Sequence, residues 1–183
     1  MRSYSKYLAF LLTFIAFSIV GASAQSSSDS RSGRTIEQSV RRQILRMPRY
    51  EVFDYIGYEV NGSTVTLTGK VFNAINKKTA ENGVEDIPGV TRVINNIEVL
   101  PPSPFDDTIR RDLYSSISRT AGLSRYLWPV NPSVRLIVDR GHVTLEGYVS
   151  NKGDKNLMNL AANGVSNVFG VTNNLKIDSG KAG

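Results

Sequence analysis

The apolar residues of this chain follow helical and strand spacing in one fixed order, which occurs twice. In the first half, apolar positions three or four residues apart predict a helix that begins with Thr35 as N-cap and stops at Pro48. Alternating apolar positions then predict two strands joined by the turn at 61–63, followed by a helix and a last strand. This half is therefore predicted to fold in the order αββαβ. The apolar positions used are Ile36, Val40, Ile44, Met47, Ile56, Tyr58, Val60, Val65, Leu67, Val71, Ala80, Val84, Ile87, Val93, Ile97 and Val99.

The second half repeats this order with helix and turn signals of its own. Ser103 and Pro104 are typical of a helix start, and acidic residues follow in the first turn. The turn at 139–142 joins two predicted strands, and a second helix and a last strand follow. The apolar positions are Ile109, Leu113, Ile117, Val134, Leu136, Val138, Val143, Leu145, Val149, Met158, Ala162, Val165, Val171, Leu175 and Ile177.

The two halves are an internal repeat. Residues 65–71 read VTLTGKV and residues 143–149 read VTLEGYV, and laying the first on the second aligns 65–99 with 143–177 without a gap and with eleven identities. We call this pairing the repeat alignment. A repeat of this length indicates two copies of a complete small domain. The fold class is therefore α+β, with tandem αββαβ domains at 34–100 and 101–178 and a short tail at 179–183.

The segment between the domains and the glycines and asparagines shared by the two copies predict how the domains are arranged and where their backbone is constrained. The linker LPPSP at 100–104 is short and proline-rich, so the domains are expected to be close neighbours. Glycines repeat in the middle of a strand, where they predict a close backbone approach. Paired asparagines repeat near the last strand, where their side chains suit bonds to turn backbone. These shared residues are Gly69, Gly147, Asn95, Asn96, Asn173 and Asn174.

The repeated segments resemble the BON domain, a module of osmotically inducible periplasmic proteins and of dual-domain outer-membrane lipoproteins. The resemblance rests on STVTLTGKV and GVTRVINNIEV in the first copy, and on GHVTLEGYV and NVFGVTNNLKI in the second. It covers about 34–178. It implies, in each copy, a three-stranded mixed sheet with two helices on one face, and attachment to phospholipid or to envelope polymers. The chain has no cysteine to carry the lipid anchor of the lipoproteins.

Residues 1–24 have the pattern of a signal peptide. Arg2 and Lys6 precede an apolar run at 7–20, and Ala22 and Ala24 give the small-residue spacing that signal peptidase recognises. A retained membrane anchor is the alternative. Cleavage after Ala24 would place the protein in the periplasm. The Ser-rich segment 25–33 has nothing apolar to bury, so it is predicted to be a disordered lead-in.

Composition argues against several classes of function. The absence of cysteine excludes disulfides and thiolate sites, and the single histidine, His142, does not suit a multi-histidine metal site. The net charge of +6 falls to +4 when Arg2 and Lys6 are removed with 1–24, which is too mild for a nucleic-acid-binding surface. No catalytic motif is present, and His142 lies in a predicted hairpin turn. We therefore expect no enzyme, no cofactor and no metal.

Differences between the copies indicate where a function could reside. Leu157 and Leu160 in the last helix replace Thr79 and Asn82, and helical geometry points Leu160 almost away from the core. The second copy also has nine extra residues, which fall within 119–132 and carry basic and aromatic side chains. These are Arg119, Arg125, Tyr126, Leu127 and Trp128.

Arginine beside aromatic and aliphatic residues is typical of a bilayer interface. We therefore expect a lipid-binding face formed by Arg119, Arg125, Tyr126, Leu127, Trp128, Leu157 and Leu160, with the rings and Leu127 exposed. The alternative is that residues 126–128 cap the domain core or fill the interface between the copies.

Two classes of function follow from this reading. The first is a monomeric, non-enzymatic envelope protein that binds anionic phospholipid or other envelope components and helps maintain the envelope under osmotic stress. The alternative is a periplasmic protein-interaction or chaperone-like module that uses the same apolar patch or a sheet edge to bind envelope proteins.

Overall fold

The computed structural model describes residues 24–178, with side chains from Thr35 onward. Residues 1–23 of the predicted signal peptide and the tail at 179–183 lie outside the described residues. The first copy contains α1 Ala24–Leu45, β1 Tyr55–Asn61, β2 Thr64–Val71, α2 Ala74–Glu85, β3 Arg92–Asn95 and β4 Glu98–Val99. The second contains α3 Pro104–Arg119, the 3₁₀ helix η1 Ser124–Leu127, β5 Val134–Asp139, β6 His142–Val149, α4 Lys152–Asn163, β7 Gly170–Asn173 and β8 Lys176–Ile177.

Each copy has its own mixed sheet, and the two sheets have the same topology. The second strand of each copy is central: it pairs antiparallel with the first strand and parallel with the last, which is divided into two short pieces. The register is also shared, since Tyr58 lies opposite Leu67 in the first sheet and Leu136 lies opposite Leu145 in the second. The predicted fold class, two tandem αββαβ domains, is confirmed.

Each domain packs two helices on one face of its sheet, and most of the predicted apolar positions form the two cores, whereas Val99 and Ile177 in the last strands are exposed. In the first domain Val40, Val65 and Leu67 are fully buried. Leu113, Leu136 and Leu145 are fully buried in the second. Burial of these side chains contributes roughly 1.5–3 kcal/mol each relative to leaving them exposed.

The start of α1 differs from the prediction. The helix begins at Ala24, so the segment 25–33, predicted to be a disordered lead-in, is helical. Thr35 consequently lies within the helix, where its carbonyl accepts a bond from the Ser39 hydroxyl. No proline occurs in 25–34, so nothing in that segment blocks the extension of the helix toward the N-terminus.

Asn95 and Asn173, the first asparagine of each repeated pair, have the structural role expected of them, whereas the side chain of Asn174 bonds to the Glu146 carboxylate. The side-chain amide of Asn95 donates to the carbonyl of Lys77, and its oxygen accepts from the backbone of Ile97. Asn173 makes the same two bonds, to Lys155 and Leu175. One side chain thus holds the break in the last strand against the second helix of each domain.

The repeated glycines mark the place where the central strand crosses the start of its neighbour. Gly69 has φ +112° and Gly147 has φ +108°, which is left-handed backbone. A Cβ on Gly69 would collide with the carbonyl oxygen of Tyr55, and one on Gly147 with that of Ser133. The predicted close approach is therefore confirmed, and it explains why both strands need glycine here.

The two domains are joined by the loop before β1. The backbone N–H of Leu136 donates to the carbonyl of Val52 at 2.8 Å. The guanidinium of Arg135 donates to the carbonyl of Glu51 at 2.8 Å and lies 4.0 Å from the centre of the Tyr50 ring. Val52 and its neighbour Phe53 also pack against the core of the second domain. The domains are close neighbours, as the linker predicted.

A second contact between the domains is ionic. The ammonium of Lys70 lies 2.5 Å from the carboxylate of Asp139, and also 3.3 Å from that of Glu98. Nearby, the guanidinium of Arg110 lies 4.5 Å from the centre of the Phe72 ring. The hydrogen bond from Lys70 lowers the pKa of Asp139 and raises the pKa of Lys70.

We expect Gly69→Ala to lower the free energy of unfolding by more than about 3 kcal/mol, because a Cβ there must push the backbone of β1 away. Gly62→Ala is the matched control: Gly62 also has positive φ, +60°, but nothing lies within 4 Å of its Cβ position. It should lose only about 1–2 kcal/mol, the cost of left-handed backbone. Urea denaturation measures both variants, and equal losses would contradict the collision argument.

The ionic contact between domains should depend on acid pH. Because the pKa of Asp139 is lowered in the folded protein, its contribution is complete above the ordinary value of about 3.9 and disappears as the pH falls through the folded value. The contribution is small, about 1 kcal/mol or less, since Lys70 is partly exposed. The difference in thermal midpoint between wild type and Lys70→Met should therefore be constant near neutral pH and narrow below about pH 4. Lys152→Met, at an exposed lysine, should show no such narrowing.

Candidate functional site

The inserted segment of the second domain folds back into that domain's own core. Tyr126 and Leu127, in η1, are only 5% and 3% exposed, so the expectation that they would be exposed is wrong. Both belong to the core cluster of the second domain together with Leu123. The alternative reading, in which this part of the insertion caps the core, holds for these two residues.

The hydroxyl of Tyr126 explains why the ring is drawn inward. It donates to the carboxylate of Asp154 at 2.5 Å, and it accepts from the backbone N–H of Ser150 at 3.0 Å. Ser150 and Asp154 flank Asn151, the N-cap of α4. The hydroxyl therefore fastens the inserted segment to the N-terminus of the helix.

In the first domain the carboxylate of Asp54 does the same work. It accepts from the backbone N–H of Phe72 at 2.7 Å and from the side-chain amide of Asn76 at 2.9 Å. In the repeat alignment Phe72 and Asn76 are the counterparts of Ser150 and Asp154. We call Asp54 and Tyr126 the loop anchors, because each holds the segment before the first strand against the second helix.

The loop anchor Asp54 is buried and fully engaged. It is 2% exposed, and the backbone N–H groups of Glu51 and Asn73 donate to it as well. Burial raises the pKa of Asp54, while these bonds oppose the rise. An open pocket of about 310 Å³ lies beside it at the start of α2. Because the carboxylate is bonded to protein N–H groups, it serves as a structural anchor and not as a ligand-binding group.

The two predicted arginines differ in their surroundings. Arg125 is exposed, its guanidinium lies 2.6 Å from the Asp154 carboxylate, and it lies 4.7 Å from the centre of the Tyr126 ring. Arg119 is in the last turn of α3, where a cation also suits the helix dipole. Within the described residues no hydrogen bond or ion pair joins Arg119 to the other predicted site residues.

The exposed apolar side chains of the predicted site lie in two places. Trp128, directly after η1, is 65% exposed. On α4, Leu157 is 40% and Leu160 69% exposed, as expected from the helical positions, while Met158 between them is fully buried. The bonds from Arg125 and Tyr126 to Asp154 bring η1 to the N-terminus of α4, and Leu157 follows one turn further along that helix.

The charges of α4 also differ from those of α2. The first-domain helix carries Glu81 and Glu85, whereas α4 has no acidic residue after Asp154. Lys152 is exposed in its first turn. The outward face of α4 is consequently apolar and neutral, with cations at its N-terminal end.

The structure contains exposed apolar residues that the sequence reading missed. Val130, two residues after Trp128, is 74% exposed. Phe105 and Phe169 are 43% and 69% exposed, with ring centres 5.7 Å apart, and His142 meets Phe169 edge-on at 6.0 Å. Phe105 lies four residues before Ile109 and Phe169 two residues before Val171, so both continue the apolar period of their segments. Periodicity would therefore have placed them in the core, and it does not reveal that both lie at or directly before the start of an element, where they stay exposed.

Two further observations bear on the chemistry of the site. Across the described residues, no helix is both long enough and apolar enough to span a bilayer. In the same part of the chain, no three His, Asp or Glu side chains come together in an arrangement that could hold a metal ion.

Comparison with known proteins identifies the family. No curated protein sequence matches the chain. Two solved structures of CdsD, a structural protein of the type III secretion system of Chlamydia trachomatis, are similar over much of their length. One, of the C-terminal domain, shares 12% identity at TM-score 0.32 and covers 77% of this chain and 96% of that one. The other shares 13% at TM-score 0.28, with coverages of 79% and 94%. At these scores the likeness supports no inference about function.

The sequence pattern of the BON domain matches twice, at residues 32–101 and 105–179, which together make up most of the chain. These ranges agree with the repeat and with the two sheets. The chain belongs to the BON domain family and contains two BON domains in tandem.

Proposed function

We propose that this protein is an exported, non-catalytic envelope module that binds the anionic phospholipid surface reversibly through its second domain. Membership of the BON family supports an envelope, periplasmic context and favours a binding module over an enzyme. The lipid surface as the ligand is the finer part of the proposal. The single observation that supports it best is the outward face of α4, where Leu157 and Leu160 are exposed and no acidic residue follows Asp154.

The apolar contribution comes from three side chains. Leu160 and Trp128 are about two-thirds exposed and Leu157 two-fifths, so each has apolar area to bury at the level of the lipid headgroups. Complete burial of such a side chain contributes roughly 1.5–3 kcal/mol. Together they provide enough for weak, reversible attachment and too little for permanent insertion.

The electrostatic contribution comes from the cations at the ends of the helices. Arg119, Arg125 and Lys152 lie there, and each would be attracted to an anionic surface. Arg125 forms an ion pair with Asp154, which offsets its positive charge, so its contribution is the smallest of the three. Binding should therefore weaken as the salt concentration rises.

A second candidate function is recognition of another envelope protein, as in a chaperone-like module. The exposed pair Phe105 and Phe169, at the opposite end of β6 from the α4 start, favours it. Aromatic residues are enriched at the centres of protein interfaces. Phe169→Ala should leave vesicle binding unchanged if lipid is the ligand of α4.

The first domain provides the variant that tests the lipid proposal. Replacing Leu157 by Thr and Leu160 by Asn gives α4 the residues that α2 has at the same positions, Thr79 and Asn82. We expect the double variant to bind vesicles rich in phosphatidylglycerol at least about tenfold more weakly, because most of the exposed apolar area is lost. Co-sedimentation measures binding, and the thermal midpoint, changed only slightly, shows that the fold is kept.

The reverse exchange is the control. Thr79→Leu with Asn82→Leu places leucines on α2, which keeps Glu81 and Glu85. It should add little binding to anionic vesicles. Undiminished binding by the Leu157→Thr, Leu160→Asn variant, or equal binding of wild type to neutral and anionic vesicles, would rule out the proposed face.

Export is tested separately. Cleavage after Ala24 would leave a protein that begins at Gln25 and is released from the periplasm by osmotic shock. The intact mass of the released protein measures the cleavage site. A full-length chain recovered only with the membrane would instead indicate a retained anchor.

A further inference from the structure

The two domains contact each other through a loop that lies on a strand edge, and the chain contains a second loop and a second strand edge of the same kind. In the contact between the domains, the first-domain loop, residues 50–53, lies along the outer edge of β5. The outward N–H of Leu136 donates to Val52, and the ring of Tyr50 covers Arg135. A short segment of one domain thus adds to the sheet edge of the next.

The outer edge of β1 in the first domain has the same backbone arrangement. β1 pairs with β2 alone among the described strands, and its register matches that of β5 in the repeat alignment. Since Leu136 points its N–H outward opposite Leu145, Tyr58 points its N–H outward opposite Leu67. The preceding outward N–H, of Ile56, is already bonded to the Tyr50 hydroxyl. The N–H of Tyr58 is therefore the counterpart of the donor that receives Val52.

The second-domain loop, residues 128–131, stands where the first-domain loop stands in its own domain. When the repeat alignment is continued back to these loops, Trp128 corresponds to Tyr50 and Val130 to Val52. Val52 packs against the neighbouring domain, and Tyr50 is buried in its own core with Arg135 of the neighbouring domain against its ring, whereas Trp128 and Val130 are 65% and 74% exposed. The prolines at 129 and 132 restrict the loop, which reduces the entropy lost on docking.

The sizes of the side chains in the two contacts are complementary. Where β5 has Arg135 beneath the Tyr50 ring, β1 has Gly57. The larger ring of Trp128 would thus meet the smaller residue. The ring of Tyr55 already lies 3.6 Å from the Cβ position of Gly57, so Trp128 would pack beside that ring.

We propose that the second-domain loop of one molecule docks on the outer edge of β1 of a second copy, with the carbonyl of Val130 accepting from the N–H of Tyr58. The two surfaces lie on different domains, so the contact is head-to-tail and each docked pair keeps one free loop and one free edge. Such a contact generates rows of molecules unless the rotation closes a ring. The proposal is independent of lipid binding, although Trp128 belongs to both surfaces.

The contact between molecules is weaker than the one within the chain. Within the chain the linker at 100–104 keeps loop and edge together at an effective concentration of about millimolar. Between molecules, a small contact of this kind gives dissociation constants of roughly 10–100 μM. Assembly should therefore appear only in concentrated samples.

Analytical ultracentrifugation in lipid-free buffer, with protein purified from the periplasm, tests the proposal. The mean mass of the wild type should rise as the concentration increases to about 300 μM. Val130→Lys should weaken the association at least about tenfold, because the apolar contact of Val130 is lost and the lysine ammonium would have to be desolvated against the strand edge. Ile177→Lys, also at an exposed apolar residue of the second domain, is the matched control and should associate like wild type.

The edge is tested with Gly57→Glu and, independently, with Tyr58→Pro, which removes the donor N–H. Each should abolish association, and the far-ultraviolet circular dichroism identifies any variant that fails to fold. The decisive experiment mixes Val130→Lys with Gly57→Glu. Each chain then keeps one working surface, so the mixture should form pairs of two chains and no longer rows.

Three results would overturn the proposal. The first is that the wild type stays a single chain throughout the concentration range. The second is that neither Val130→Lys nor the folded edge variants change the association. The third is that the mixture of Val130→Lys and Gly57→Glu does not form pairs. The Leu157→Thr, Leu160→Asn variant should associate like wild type, so failure of the lipid proposal and failure of this one are separate results.

Discussion

Each domain depends on a buried polar group that holds an irregular segment against the first turn of the second helix. The backbone N–H groups at and just before the N-cap of a helix have no partner within it, and burying them unpaired is costly. Asp54 satisfies Phe72 and Asn73 in the first domain, and the Tyr126 hydroxyl satisfies Ser150 in the second. The position of each loop anchor fixes the course of the loop before β1 or β5. The domain contact and the exposure of Trp128 both follow from that course.

The sequence was sufficient for the parts of the fold that both copies share. Helix and strand periods recur in the two copies, so an element that is ambiguous in one copy can be assigned from the other. The shared glycines and asparagines lie where the backbone conformation requires them. The site was predicted less well, because it lies in the segment that has no counterpart in the first copy. Leu160 is exposed as its helical position required. Tyr126 is buried because of a bond to Asp154, distant along the chain, which no periodicity reveals.

The burial of Tyr126 is nevertheless indicated in the sequence by two substitutions between the copies. Asp54 and Asn76 meet in the first domain, and their counterparts in the repeat alignment are Pro132 and Asp154. A proline cannot accept the bonds that the Asp54 carboxylate accepts, and a new carboxylate on the helix needs a donor. The residue that meets both needs must come from elsewhere, and the insertion provides it. Reading which partners change together would have placed Tyr126 inside.

Because the two loop anchors differ, they also limit which recombined forms of the tandem gene would encode a folded domain. The segments VTLTGKV and VTLEGYV are nearly alike, and recombination between them would delete one repeat length and leave one hybrid domain in the correct reading frame. That hybrid would join Asp54 to the helix start that carries Asp154, so two carboxylates would face each other where the parents pair a carboxylate with an amide or a hydroxyl. Like charges in such a site cannot both stay ionised without cost. The domains are repeats in sequence, but their halves are not interchangeable parts.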